Sequence, residues 1–376
     1  MWWAEASGAV ADLGVLVPIA VALIVMNGLS VTAVLLPAGL LYLLVAVVFR
    51  VPVAVQPLKA FGALAIAMGA GSDLIAAGAL LMGVIFVVLG TSGLIDRVAH
   101  WFPLAVVRGV QLAVALAFAK IAWGLLVAPA ASFVSQLPAG GWAIAGAVVI
   151  AAVLLRWPVT VLPVVVFALV WAGVVSTSVA APSWGPTPLV VPELSWSTLG
   201  VAMVVLVIPQ LPLTFANSCV APADAARSYF ADHSTRVTPG RLALTLGGAN
   251  IAIAAVSGMP LCHGAGGMSA HYAFGARSWR APVIIGTSLV AVALLVAADV
   301  ARVVTSFPLV VLAALLVVAG LAHVRLMRDL DGWRQWTVAL AIGLAGAFGY
   351  LLVAVVVGIV AETVWLVVSR RRAAEA

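Results

Sequence analysis

Apolar runs of membrane-crossing length, separated by short polar stretches, follow one another from one end of the chain to the other. A helix that crosses the hydrocarbon core needs about 20 apolar residues. On that criterion the pattern predicts fourteen segments: 8–27, 29–49, 51–68, 72–90, 103–123, 141–155, 158–175, 197–217, 241–257, 258–276, 281–298, 308–326, 333–349 and 350–369. Two of them are broken. In 51–68, Pro52 disfavours helix across Val51–Val55, and Gln56 precedes Pro57; a residue before proline avoids the helical region. Pro57 suits the first helical position, so a half-helix is predicted from there to Met68. In 258–276, Gly258 to Cys262 reads as extended around Pro260, and Gly264, Gly266 and Gly267 open a helix through His271 and Tyr272 to Ala276. Stretches 94–101 and 299–306 read as short interfacial helices.

An internal repeat accompanies these breaks. Phe102-Pro103-Leu104-Ala105-Val106 recurs as Phe307-Pro308-Leu309-Val310-Val311, and the two broken segments recur at nearly the same offset. The fold class is therefore an all-α membrane protein, a seven-plus-seven repeat over 1–175 and 197–369. An odd number of crossings per repeat inverts the second copy. Charge placement agrees. With the N-terminus in the cytoplasm, Arg97, Arg156, Arg227, Arg236, Arg241, Arg277, Arg280, Arg325, Arg328, Arg334 and Arg370-Arg371-Arg372 all fall on the cytoplasmic side, and Arg302 lies outside. Loops 128–140 and 176–195 carry no Lys or Arg, the bias expected of topology signals. Both termini are thus expected in the cytoplasm.

Composition narrows the class. The chain is 65% hydrophobic and 8% charged, against about 25% charged for a soluble domain. The net charge of +6 sits in loops between apolar runs and is no nucleic-acid footprint. Cys219 and Cys262 form neither a disulfide framework nor a metal spacing. The start, Met1-Trp2-Trp3-Ala4-Glu5, lacks the basic region of a signal peptide. No Walker loop, HExxH, CxxC pair or nucleophile elbow is present, so neither an enzyme nor a cofactor is expected.

The broken segments carry the candidate chemistry. Irregular backbone at membrane depth is tolerated only when protein shields it or it lines a cavity, and a matched pair of interrupted segments points to a transporter's site. A helix start presents free N–H groups and roughly half a positive charge. Gln56 is the expected cap and Lys59 lies in the first turn; Gly264, Ala265 and Gly266 present the second start, with His263 at the turn able to donate. Two opposed starts plus Lys59 give about two positive charges, enough to balance a small dehydrated dianion. Plainer roles stand beside these: Lys59 snorkelling to an interface, His263 as a satisfied packing histidine, and the glycines as close-packing residues.

Other intramembrane polar groups join the expected site. Gln210, Thr214 and Asn217 recur at helical spacing, suited to a substrate pocket or to interhelical hydrogen bonds. Asp12, Arg108, Gln111 and Glu362 are expected in coupling or gating, with Asp12 either balancing Lys59, carrying a proton or lying at the membrane edge.

These residues resemble the molybdate transporter family, a relative of the sulfate permeases. The resemblance rests on Val55-Gln56-Pro57-Leu58-Lys59-Ala60, on Pro209-Gln210-Leu211-Pro212-Leu213-Thr214, and above all on Pro260-Leu261-Cys262-His263-Gly264-Ala265-Gly266-Gly267 with His271-Tyr272 and Phe274-Gly275-Ala276-Arg277. Ala11-Asp12-Leu13-Gly14 departs from the family's Gly-Asp-Leu-Gly at Ala11, and Val107-Arg108-Gly109-Val110-Gln111-Leu112 also matches. The resemblance implies a SulP-like, uracil-permease-type fold. Its core domain would be built from segments 1–4 and 8–11, and its gate domain from segments 5–7 and 12–14. It further implies a multi-pass oxyanion carrier of the cell membrane that takes molybdate by alternating access; a homodimer is common among relatives of this fold. With the chain stopping at Ala376, the STAS domain of wider sulfate permeases is not expected. Sulfate, tungstate or nucleobase transport by the same fold, and a passive anion channel, are the alternatives.

Overall fold

The computed structural model describes residues 2–10, 12–95, 103–128, 147, 170–171 and 183–375. Nearly all of predicted segments 141–155 and 158–175, most of the 94–101 stretch, Phe102, Arg97 and Arg156 lie outside the described residues.

The first predicted segment is two helices, α1 (Trp2–Val10) and α2 (Leu13–Asn27), separated at Asp12. The Asp12 carbonyl accepts from Val15 N at 3.1 Å and Leu16 N at 3.2 Å, so the second helix starts afresh there. Gly28, at φ 71, ends α2 in the left-handed conformation that glycine adopts without penalty. Ser30 then caps α3 (Val31–Phe49) by accepting from Ala33 N.

The interrupted segment follows. Residues 51–55 are non-helical, with Val53 N donating to Val51 O at 2.8 Å; β1 is Gln56–Pro57, and α4 is Lys59–Ala67. Its counterpart is β2 (Leu261–Cys262) followed by α9 (Ala265–Ala273). The strands pair antiparallel, Gln56 with Cys262 and Pro57 with Leu261, and Leu58 N donates to Pro260 O at 2.9 Å. This pairing moves the first helix start. Pro57, expected at the first helical position, belongs to the strand, and Leu58 rather than Gln56 occupies the cap. The second half-helix ends three residues earlier than expected, because Gly275 turns the chain at φ +104.

Between these lie α5 (Ser72–Ser92), α6 (Leu104–Val127), α7 (Trp196–Phe230) and α8 (Pro239–Ala254). Helix α7 carries two π-helical stretches, Met203–Val207 and Thr214–Val220, around Pro209 and Pro212. After α9 come α10 (Arg280–Leu295), α11 (Ala297–Thr305), α12 (Leu309–Arg325), a 3₁₀ turn Leu326–Asp329, α13 (Gly332–Ala347) and α14 (Leu351–Glu375). Among the described residues, Val31–Phe49, Ser72–Ser92, Leu104–Val127, Trp196–Phe230 and Leu351–Ser369 are long and apolar enough to cross a membrane.

Glycines set the main crossings. Helix α3 meets α10 where a Cβ on Gly39 would lie 2.8 Å from Gly286 O. Helix α5 meets α8 where a Cβ on Gly83 would lie 2.8 Å from Gly247 O. Gly247 follows Gly39, and Gly286 follows Gly83, at nearly the offset that separates β1 from β2. A second group forms around α6, which packs against α12 at Gly320 and against α13 at Gly109 and Gly343. On one face, the 183–195 stretch straps the first group: Gly185 N donates to Leu295 O at 2.7 Å, and Thr187 bonds Ser30 and Thr32.

Candidate oxyanion site

The strand pair brings the starts of α4 and α9 together. Asn250, fully buried on α8, completes the ladder. Its Nδ2 donates to Leu261 O at 2.8 Å and to Leu246 O at 2.9 Å, and its Oδ1 accepts from Leu261 N at 2.9 Å. One side chain thereby satisfies backbone that a two-stranded sheet would leave open at its edge, where buried polar groups must be paired. In the sequence Asn250 shows only as a lone amide in an apolar run.

Four side chains form a relay across the two starts. Lys59 Nζ donates to Gln56 Oε1 at 2.6 Å, Gln56 Nε2 donates to Asp12 Oδ1, and Tyr42 Oη donates to Asp12 Oδ2 at 2.6 Å. Asp12 and Gln56 are buried, whereas Lys59 is partly exposed. Asp12 is thus wired to Lys59 through Gln56, and the local charge is nearer one than the expected two, since its carboxylate offsets one of them. Tyr42, the far end of the relay, gave no sign in the sequence beyond its place in an apolar helix.

The glycines divide into two roles. A Cβ on Gly264 would overlap the Gln56 amide, and one on Gly267 would meet Ala54 Cβ, Asp12 Oδ1 and Gln56 Nε2. Both admit the relay. A Cβ on Gly266 would meet nothing within 4 Å, and Gly266 is exposed with Ala265 partly so. The open approach to the paired starts therefore lies along Lys59, Ala265 and Gly266.

The remaining expected residues surround this centre. Gln210 Oε1 accepts from Phe61 N at 2.9 Å, taking one of the first-turn N–H groups of α4, and Gln210 Nε2 donates to Thr214 Oγ1 at 3.0 Å. These two are held in support of the helix start. Asn217, one turn on, is partly exposed, and no hydrogen bond ties it to the cluster among the described residues. His263 is fully buried with both ring nitrogens engaged, Nδ1 with Ala54 O at 3.1 Å and Nε2 with Thr245 Oγ1 at 2.8 Å. His271 contacts Gly8 O through Nδ1 at 2.7 Å and presents its ring edge-on to Tyr42.

Arg108, Gln111 and Glu362 lie elsewhere, on α6 and α14. Arg108 Nε donates to Asp329 Oδ1 at 2.7 Å, its Nη2 pairs with Oδ2, and its Nη1 donates to Gln111 Oε1 at 3.0 Å. The Arg108 guanidinium holds the Asp329 carboxyl below its usual range. Glu362 pairs with Arg334 at 2.6 Å, and that guanidinium lies 3.7 Å over the Trp365 ring.

Comparison with known proteins places this geometry. A family model described as a molybdate transporter of the MFS superfamily matches residues 4–118 and 202–322. Molybdate transporter 1 of Arabidopsis thaliana is 30% identical over 373 residues, covering 87% of this chain and 80% of the relative. Molybdate transporter 1 of Chlamydomonas reinhardtii is 28% identical over 459 residues, covering 91% and 87%. Among solved structures, the murine Slc26a9 anion transporter in its inward-facing state superposes with a TM-score of 0.70 at 16% identity, over 98% of this chain and 68% of that one. The transmembrane domain of the cyanobacterial bicarbonate transporter BicA does so with a TM-score of 0.65 at 16% identity, over 94% and 96%. These two likenesses give the fold: a multi-pass, mostly helical membrane protein of the SLC26 type. The sequence matches, spanning most of the chain on either side of both interrupted segments, give the family: this chain belongs to the molybdate transporters.

Proposed function

We propose that this protein carries a tetrahedral oxyanion, molybdate foremost, across the cell membrane by alternating access, with the anion held between the starts of α4 and α9 beside Lys59. The observation that carries the reading is the β1–β2 pairing, which sets two helix N-termini against each other with Lys59, Ala265 and Gly266 open to approach. Helix starts are ready anion sites, and an anion that sheds its water needs such compensation. Lys59, Ala265, Gly266 and Asn217 are the contacts; Gln56, Gln210, Thr214, His263 and Gly264 hold them in place.

The same reading takes the chain as two inverted sets of seven segments, with a core of segments 1–4 and 8–11 moving against a gate of 5–7 and 12–14. Supporting it are the antiparallel strands and the two glycine crossings at matching offsets. Further support comes from the separate grouping of α6 with α12 and α13. The test is uptake of labelled molybdate into liposomes holding the purified chain. Lys59→Ala should cut uptake by at least tenfold, because a charge-assisted contact to the anion is lost. Uptake unchanged by that substitution would remove the site assignment, and competition by sulfate would define the range of anions carried.

A further inference from the structure

Several buried polar atoms lack a partner among the described residues, and two of them, Gln111 Nε2 on α6 and His323 Nδ1 on α12, belong to neighbouring gate helices. Their helices run antiparallel. Gly320 of α12 meets the backbone of Ala115, whereas Asp329, beyond the end of α12, meets Arg108. His323 falls between those contacts, level with Gln111. Helix α4, which begins at Lys59, packs directly against α6.

Gln111 is oriented as a donor. Arg108 Nη1 occupies its Oε1, and Asp329 holds the rest of the guanidinium, so the amide N–H is the part left over. A buried donor without an acceptor costs free energy, and its persistence calls for a partner supplied in another state. A tetrahedral oxyanion supplies one. The two opposed helix starts and Lys59 engage only some of its four oxygens, which leaves others free to accept from α6, the helix against which α4 packs.

We propose that Gln111 Nε2 and His323 form the gate half of the oxyanion site, donating to those oxygens when the loaded core closes on the gate. This rests on the reading of the α4–α9 site and deepens it. Because the contact forms on closure, its loss should slow transport and spare binding to the open site.

The test uses the full chain, in liposomes for initial rates of labelled molybdate uptake and in detergent for equilibrium molybdate binding. Gln111→Met and His323→Phe should each lower the maximal rate about tenfold, the size of one hydrogen bond to a charged group, with binding unchanged. His323→Asn, which keeps an amide donor near the Nδ1 position, should recover most of the rate. Rates are normalised to inserted protein, and Gln111→Met decides the case if His323→Phe does not accumulate. Wild-type rates in Gln111→Met and His323→Phe would overturn the gate contact, as would His323→Asn no faster than His323→Phe. Lys59→Ala that binds molybdate normally would instead overturn the α4–α9 site itself, and the gate half with it.

Discussion

Gln56 stands between two opposite charges. It accepts from Lys59 and donates to Asp12, and no direct Lys59–Asp12 contact is needed to couple them. Holding the ammonium one residue away from the carboxylate keeps it partly exposed and available to an anion. Gly264 and Gly266, two positions apart, separate the structural demand from the ligand's demand. Gly264→Ala would drive a methyl into the Gln56 amide, so it should lower both thermal stability and uptake. Gly266→Ala meets open space and replaces a poor helix former with a good one. It should leave the melting temperature level or slightly higher while weakening molybdate uptake several-fold. A thermal melt alongside uptake separates the two, and equal behaviour of both variants would show that Gly266 does not face the anion. The chemistry at these positions was legible as residue types. Which glycine admits the relay and which faces open space was not, because that depends on what lies across from each.

At the scale of elements, the half-helices owe their position to a ladder of two residues per strand, which cannot stand alone. Asn250 makes up the deficit from α8. Asn250→Leu keeps the branching at Cγ and removes all three hydrogen bonds. Leaving buried Leu261 N and O unpaired should cost about 1–3 kcal/mol each, and both thermal stability and uptake should fall. A variant as stable and active as the parent would mean that the ladder needs no such support. The prolines and glycines announced both interruptions because they act on the local backbone. The starting residue of α4 was not announced, since strand pairing with a stretch some two hundred residues away draws Pro57 out of the helix. The division of the first segment at Asp12 was hidden for the same reason: the break serves the relay to Gln56 and Tyr42, and the three come from separate elements, the α1–α2 break, β1 and α3.

For the whole molecule, the arginine bias predicts both chain ends on one face. Single cysteines at Ala4 and at Ala374, in a background lacking Cys219 and Cys262, should therefore react with an impermeant thiol reagent only from the cytoplasmic side. Labelling of one end from outside would change the number of crossings by one. Membrane class and the two interruptions were written in the sequence, because hydropathy, proline and glycine exert their effects over a few neighbouring residues. The tertiary structure alone decided that Asp12 is tied to Lys59 through Gln56, that His263 is occupied by Ala54 and Thr245, that Gln210 takes a first-turn N–H of α4, and that Gln111 Nε2 and His323 Nδ1 find no partner among the described residues. Each of these is a hydrogen-bonding account settled between side chains or backbone brought together from separate elements, and a buried polar group's role is fixed by its partner rather than by its own identity.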